Sequence, residues 1–247
     1  MQETSATGEW TVHLLRRRWK PHKERLLAKG GEQTTCIRFH RACSWLARTE
    51  DGAGAEDHDL DLDLISLWIA FNSLYGQWDE QRQEPKPDRE TWRAFVDAIL
   101  RLDRSEYVSG ALTDHKRLVM TLLEDKHLSK FFWQEPSAEW AGQSRRSKYK
   151  AGNWYTEHRW TMILDHVLDR IYLMRCQLVH GAATYGGKLN RTSLRRCVTM
   201  MQRLLPAFLL VWIDHGSDED WGPICYPPPP AKAGSPETGG LRSKKPR

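Results

Sequence analysis

From Leu60 to Tyr75 the apolar residues Leu60, Leu64, Leu67, Trp68, Phe71, Leu74 and Tyr75 fall three or four apart. Coiled as a helix, they share one face. Met162, Ile163, Val167, Ile171, Met174 and Leu178 keep the same rhythm within Tyr155 to His180, the strongest helical stretch in the chain. Apart from the short LDLDL run at the start of the first of these stretches, no segment alternates apolar and polar residues with period two, as a half-buried strand would. The expectation is an all-α single domain, a bundle whose helices bury their apolar faces against one another.

A basic helix is expected from about Trp10 to Ala28, interrupted at Pro21, and another over residues 32 to 48, followed by the acidic loop TEDGAGAEDHD. Gly76 reads as the C-cap of the Leu60–Tyr75 helix. Further helices are predicted from Arg89 to about Leu102 with Asp88 as N-cap, from Asp114 to His127, and from about Thr192 to His215. Glu135 to Asn153 mixes Pro, Ser, Gly, Arg and Lys and reads as a loop. The organisation expected is a flexible stretch over 1–9, one helical domain over 10–226 and a disordered Pro-rich and basic tail over 227–247.

Of the net charge of +5, the segment from Ala231 to Arg247 supplies four, with five cations against Glu237. The rest is nearly neutral, so contact with nucleic acid has to come from local patches. The five cysteines are odd in number and form no C-x-x-C pair, and MQETSATGEW holds no apolar run. The expectation is a cytoplasmic protein. The apolar stretch Leu204 to Ile213 is too short to span a bilayer, so no membrane partner is predicted. The ten histidines show no H-E-x-x-H spacing and the cysteines no zinc pattern; neither a metal nor another cofactor is expected.

The stretch RCQLVHG, residues 175 to 181, closes the strongest helix. An arginine offers a planar fork of donors that matches phosphate oxygens. A histidine exchanges a proton near neutral pH. The pair suffices for phosphodiester transfer within RNA, where the ribose 2′-hydroxyl is the nucleophile. Spacing alone leaves a second reading open, because cations at a helix C-terminus also suit the helix dipole and its unpaired carbonyls. On an ideal helix Arg175 and His180 point about 140° apart, so they meet only if the helix end departs from ideal geometry.

RIYLMRCQLVHGAATYGGKLNR resembles the RLYxLRNQLVHGxAT…NR form of the HEPN family (higher eukaryotes and prokaryotes nucleotide-binding). RFHRACSWLARTE (38 to 50), LWIAFNSLYG (67 to 76) and EDWGPICYP are similar to further blocks of the same group, so the likeness spans roughly residues 10 to 226. The resemblance implies an α-helical bundle that pairs as a homodimer, with two Arg/His motifs facing one cleft. It also implies a metal-independent endoribonuclease, a toxin or phage-defence effector held in check by an antitoxin such as a nucleotidyltransferase. By position Arg175 and His180 match the catalytic pair, and Cys176, Gln177, Asn190 and Arg191 become RNA-binding or supporting residues. Cys176 departs from the family, which usually has a polar residue there, most often asparagine; a thiol is a weak hydrogen-bond donor. A catalytically inactive module binding RNA, a nucleotide or a protein is the alternative.

Other residues carry two readings each. Asn72 is either a hydrogen-bonded core amide or a site residue. Asn190 and Arg191 either cap the last helix or, for Arg191, contact phosphate. The basic N-terminal helix and RRSKYK (145 to 150) are either solvated faces or RNA-contacting surface. The twelve tryptophans exceed what a chain of this size usually carries and suggest aromatic surface buried between two copies.

Overall fold

The computed structural model describes residues 10–28, 34–51, 59–134, 138–188 and 190–226. Ten α-helices lie among them: α1 (Val12–Ala28), α2 (Thr34–Asp51), α3 (Leu60–Tyr75), α4 (Asp88–Leu102), α5 (Tyr107–Asp114), α6 (Lys116–Glu124), α7 (Lys130–Gln134), α8 (Ala138–Thr156), α9 (Trp160–Val179) and α10 (Arg191–Asp214). A 3-10 turn at Lys126–Leu128 and a two-residue antiparallel pair, β1 (Trp78–Asp79) with β2 (Glu84–Pro85), complete them. The all-α expectation holds. The expected flexible N-terminus, most of the acidic loop and the tail from Pro227 lie outside the described residues.

Leu204, Leu205 and every residue from Ala207 to Ile213 are buried. A helix apolar on all sides has to be surrounded, and α10 packs against α1, α3, α4, α5, α6 and α9. By length and composition α10 is also the one described helix apolar enough to cross a membrane, yet 72% of its most apolar window is buried inside the bundle. Pro206 lies within it without ending it. Likewise α1 runs straight through Pro21, against the expected interruption. The carbonyl that Pro21 leaves without a donor belongs to Arg17, an exposed residue.

Several boundaries move. The stretch read as a loop over 135–153 forms most of α8, because Ser144, Ala151, Trp154 and Tyr155 are buried where α8 packs on α6 and α9. Gly142 and Gly152 each lower helix propensity by about 1 kcal/mol, which the burial of two aromatic rings outweighs. Tyr155 belongs to α8, and a turn through His158 at φ 53° separates it from α9. The helix expected over Asp114–His127 divides at His115 and again at Asp125. Asp103 begins α5 early by accepting the amide hydrogens of Tyr107 (2.7 Å), Val108 and Ser109 (3.0 Å each). Asp88 is the first residue of α4 rather than its cap, and its carboxylate accepts the Tyr75 hydroxyl at 3.2 Å.

One buried arginine joins three of the sequence blocks. Arg38 on α2 is 1% exposed. Its guanidinium donates to the carbonyls of Leu74 (3.1 Å) and Gly76 (2.7 Å) at the end of α3, and to those of Gly222 and Pro223 (3.1 Å each). Burial pulls its pKa down to about 10. Gly76 has φ −57°, not the left-handed cap conformation; a Cβ there would lie 2.6 Å from Asn72 Oδ1 and 2.9 Å from Asn72 O. Close approach, not conformation, calls for glycine. Asn72 itself is half-buried with no side-chain hydrogen bond among the described residues, so it is not the bonded core amide anticipated.

Six of the twelve tryptophans build the core of the single chain. Trp19, Trp68, Trp92, Trp154, Trp212 and Trp221 are all buried within one chain. Trp68 meets Trp92 edge to face at 5.7 Å, and Trp212 stacks on Trp221 at 4.3 Å. Trp45 and Trp133 are the exposed ones among the described residues.

Candidate functional site: the end of α9

On α9 the residues Arg170, Met174 and Gln177 recur at helical spacing and are buried. Arg170 donates to Leu123 O (3.1 Å) and Asp125 O (3.4 Å), and burial lowers its pKa to about 10. Arg175 lies off this stripe. It is half-buried, with its guanidinium 5.9 Å from the centre of the Tyr172 ring and no hydrogen bond or ion pair among the described residues. Arg89 approaches the same ring at 5.8 Å but is tied to Asp169 at 2.9 Å. Burial, then the neighbouring Cys176 thiol, push the Tyr172 phenol above its ordinary pKa. Cys176 is half-buried beside it.

The helix ends in a Schellman motif. His180 is the C-cap, its backbone N–H on Cys176 O at 3.0 Å. Gly181 takes φ 70°, its N–H reaching Leu178 O (3.2 Å), and Ala182 N–H reaches Gln177 O (2.8 Å). These bonds satisfy the last carbonyls through the main chain. The His180 imidazole is therefore not needed for capping; it is exposed and has no partner among the described residues. Among the described residues no hydrogen bond joins it to Arg175.

The loop that follows is fastened to α3. Tyr185 donates its hydroxyl to Asp59 (2.6 Å), Gly186 its N–H to Asp61 (3.2 Å), and Arg191 pairs with Asp61. Burial opposes the charge on Asp59, but the Leu62 N–H, the Tyr185 hydroxyl and Arg48 outweigh it and hold the carboxyl below its ordinary pKa. Asn190 stands at the N-cap of α10 with φ 56°, but its amide donates to Gln177 Oε1 (3.2 Å) instead of receiving a helix N–H. Gln177 Nε2 in turn donates to His127 O at 2.9 Å. Gln177, Asn190 and Arg191 thus hold the frame around the helix end, while Arg175 and His180 are left over. Lys148 of RRSKYK pairs with Glu124 at 2.5 Å.

This chain matches no family model, no curated protein and no solved structure.

The motif therefore has to be judged on its own chemistry. A guanidinium with its polar edge unpaired presents donors for phosphate oxygens, and an exposed imidazole can carry a proton to or from a ligand. Sequence reasoning missed Asp59, Asp61 and Asp125, which fasten the loop and α10. The signal was present in LDLDL: aspartates inside an apolar helix face are buried charges and require partners. Asp61 has Arg191 and Asp63 has Arg48 at 2.9 Å. Which arginine answers which aspartate is set by the packing of distant segments.

Proposed function

We propose that the chain is an endoribonuclease of the HEPN type, acting as a homodimer on single-stranded RNA in a toxin–antitoxin or phage-defence setting. The observation that supports it is the end of α9: among the described residues Arg175 and His180 have no polar side-chain partner, whereas Arg170, Arg191 and the carbonyls of Cys176, Gln177 and Leu178 are satisfied. In this reading His180 takes the proton of a ribose 2′-hydroxyl as that oxygen attacks the adjacent phosphorus. The bond to the 5′-oxygen breaks, a second imidazole protonates that leaving oxygen, and Arg175 neutralises the charge gathering on the non-bridging oxygens. The products are a 2′,3′-cyclic phosphate and a 5′-hydroxyl.

Two proton transfers call for two imidazoles, and a two-fold pairing of copies supplies the second. Val179, 51% exposed beside His180, offers apolar surface for such a pairing. An antitoxin such as a nucleotidyltransferase would act by covering this end of α9. The catalytically silent reading shares every contact and differs only in turnover.

The test uses a short RNA with one 2′-deoxyribose. Cutting should leave a cyclic phosphate, continue in EDTA, stop at the deoxy position, and fall about 100-fold or more in Arg175→Ala. Expression alone should arrest growth, and His180→Ala should relieve the arrest. Cleavage that ignores the deoxy substitution, or that requires added magnesium, overturns the mechanism; RNA binding without any cleavage selects the silent module.

A further inference from the structure

A groove near the end of α9 is lined by neither Arg175 nor His180. It encloses about 540 Å³ between the end of α6 with the 126–128 turn (Glu124, Lys126, His127) and the start of α10 (Lys188, Thr192, Arg196). Its carboxylates are already matched. Asp125 accepts the Ser193 hydroxyl (2.6 Å), the His127 N–H (3.0 Å) and Arg196 (3.4 Å), Glu124 holds Lys148, and the nearby Asp61 holds Arg191. The cations are not all matched. Lys188 has no partner among the described residues, and the Lys126 ammonium has only the face of the Phe132 ring at 5.4 Å. The Asn190 side chain makes no capping hydrogen bond either, so the first-turn N–H groups of α10 lack that acceptor.

A row of aromatic rings continues from the same turn. On α7, Phe131 and Trp133 are 41% and 45% exposed, and Phe132 and Trp133 pack on the His127 ring. The Trp133 indole donates to His127 O at 2.8 Å, the carbonyl that also receives Gln177 Nε2. One main-chain oxygen therefore connects the aromatic ledge, the groove and the α9 turn two residues past Arg175. Unmatched ammonium groups beside exposed rings are what a flexible polyanion with stacking bases requires; a duplex offers no free base faces.

We propose that this groove and its ledge form a second binding site for single-stranded RNA, away from the scissile position. Lys126 and Lys188 each meet a backbone phosphate, and a base stacks on Trp133. The choice of RNA as occupant rests on the reading of Arg175 and His180 given above, but the test does not depend on cleavage.

The full chain carrying His180→Ala is titrated with a fluorescent twelve-nucleotide RNA, read by anisotropy at several salt concentrations. Adding Lys126→Ala and Lys188→Ala should weaken binding about tenfold at low salt. It should also flatten the salt dependence of log Kd by about 1.4, the value for two phosphate contacts on a single strand. Trp133→Ala should weaken binding about fivefold or more with little change in that slope. Both lysines are exposed, so unchanged thermal unfolding is expected and serves as the folding control. Unaltered affinity and slope in the double-lysine variant overturn the proposal, as does equal binding of duplex RNA. Groove-dependent binding by a wild-type chain that cuts nothing would sink the ribonuclease reading and leave this site standing; cleavage and binding both indifferent to Lys126 and Lys188 would do the reverse.

Discussion

Replacing Asp61 by alanine should unfasten the loop behind the motif, and its cost follows from the contacts. The Asp61 side chain is 9% exposed and serves both the Arg191 guanidinium and the Gly186 N–H. Removing one member of a buried ion pair costs about 3–5 kcal/mol, because the partner stays behind uncompensated. Arg191 is 27% exposed, so water recovers part of that, and about 2–3 kcal/mol remains. With a urea slope of about 3 kcal/mol per molar, the midpoint should drop by roughly 1 M. Arg191→Ala alone should cost about 2 kcal/mol, and the double variant little more than Asp61→Ala, giving a coupling of about 1.5–3 kcal/mol. Urea unfolding followed by far-UV circular dichroism measures all four proteins. A coupling under about 0.5 kcal/mol would refute the fastening role and return Arg191 to the phosphate-contacting residues; RNA affinity of Arg191→Ala, with folded protein, is the companion measurement.

Gly76→Ala should destabilise by about 1–3 kcal/mol, since the new Cβ meets the Asn72 carbonyl oxygen at 2.9 Å and a main-chain atom cannot rotate away; in a chain of this size that lowers the calorimetric Tm by about 2–4 °C per kcal/mol, and an unchanged Tm would contradict it. Asp214 accepts Arg18 (2.7 Å) and the Tyr107 hydroxyl (2.7 Å), which outweigh its burial and hold its carboxyl below the ordinary pKa. A carboxylate depressed in the folded state stabilises it above about pH 4 and loses that contribution as pH falls through the lower folded value. Asp214→Asn should therefore flatten the acid limb of stability against pH, and an identical limb would exclude the linkage. Cys176→Asn should keep or raise RNA cleavage, because asparagine brings amide donors and an acceptor where the thiol brings little. A large fall in rate at unchanged Tm would give the thiol beside Tyr172 a role of its own.

Local periodicity was enough to specify the helical class. It bounded α3 at Leu60 and Tyr75 and ended α9 at Gly181, because a 3.6-residue repeat and a left-handed C′ residue are written in neighbouring positions. It failed for α8, whose glycines and charges oppose helix and whose stability comes from Trp154 and Tyr155 packing on segments far away in sequence. The same division runs through the site. Arg175 and His180 were legible as a pair of reactive side chains, but their freedom was not: it depends on main-chain bonds closing the helix end and on Asp61, over a hundred residues away in the chain, occupying Arg191. Asn190 and Arg191 read as an N-cap signal, yet the cap amide turned to Gln177 and the arginine to α3. Lys126, Lys188 and the α7 rings carried no pattern, since nothing in the sequence brings residues 126 and 188 to opposite walls of one groove. Periodicity is a property of neighbours along the chain; which charge meets which, and which is left over for a ligand, is decided only when the helices pack.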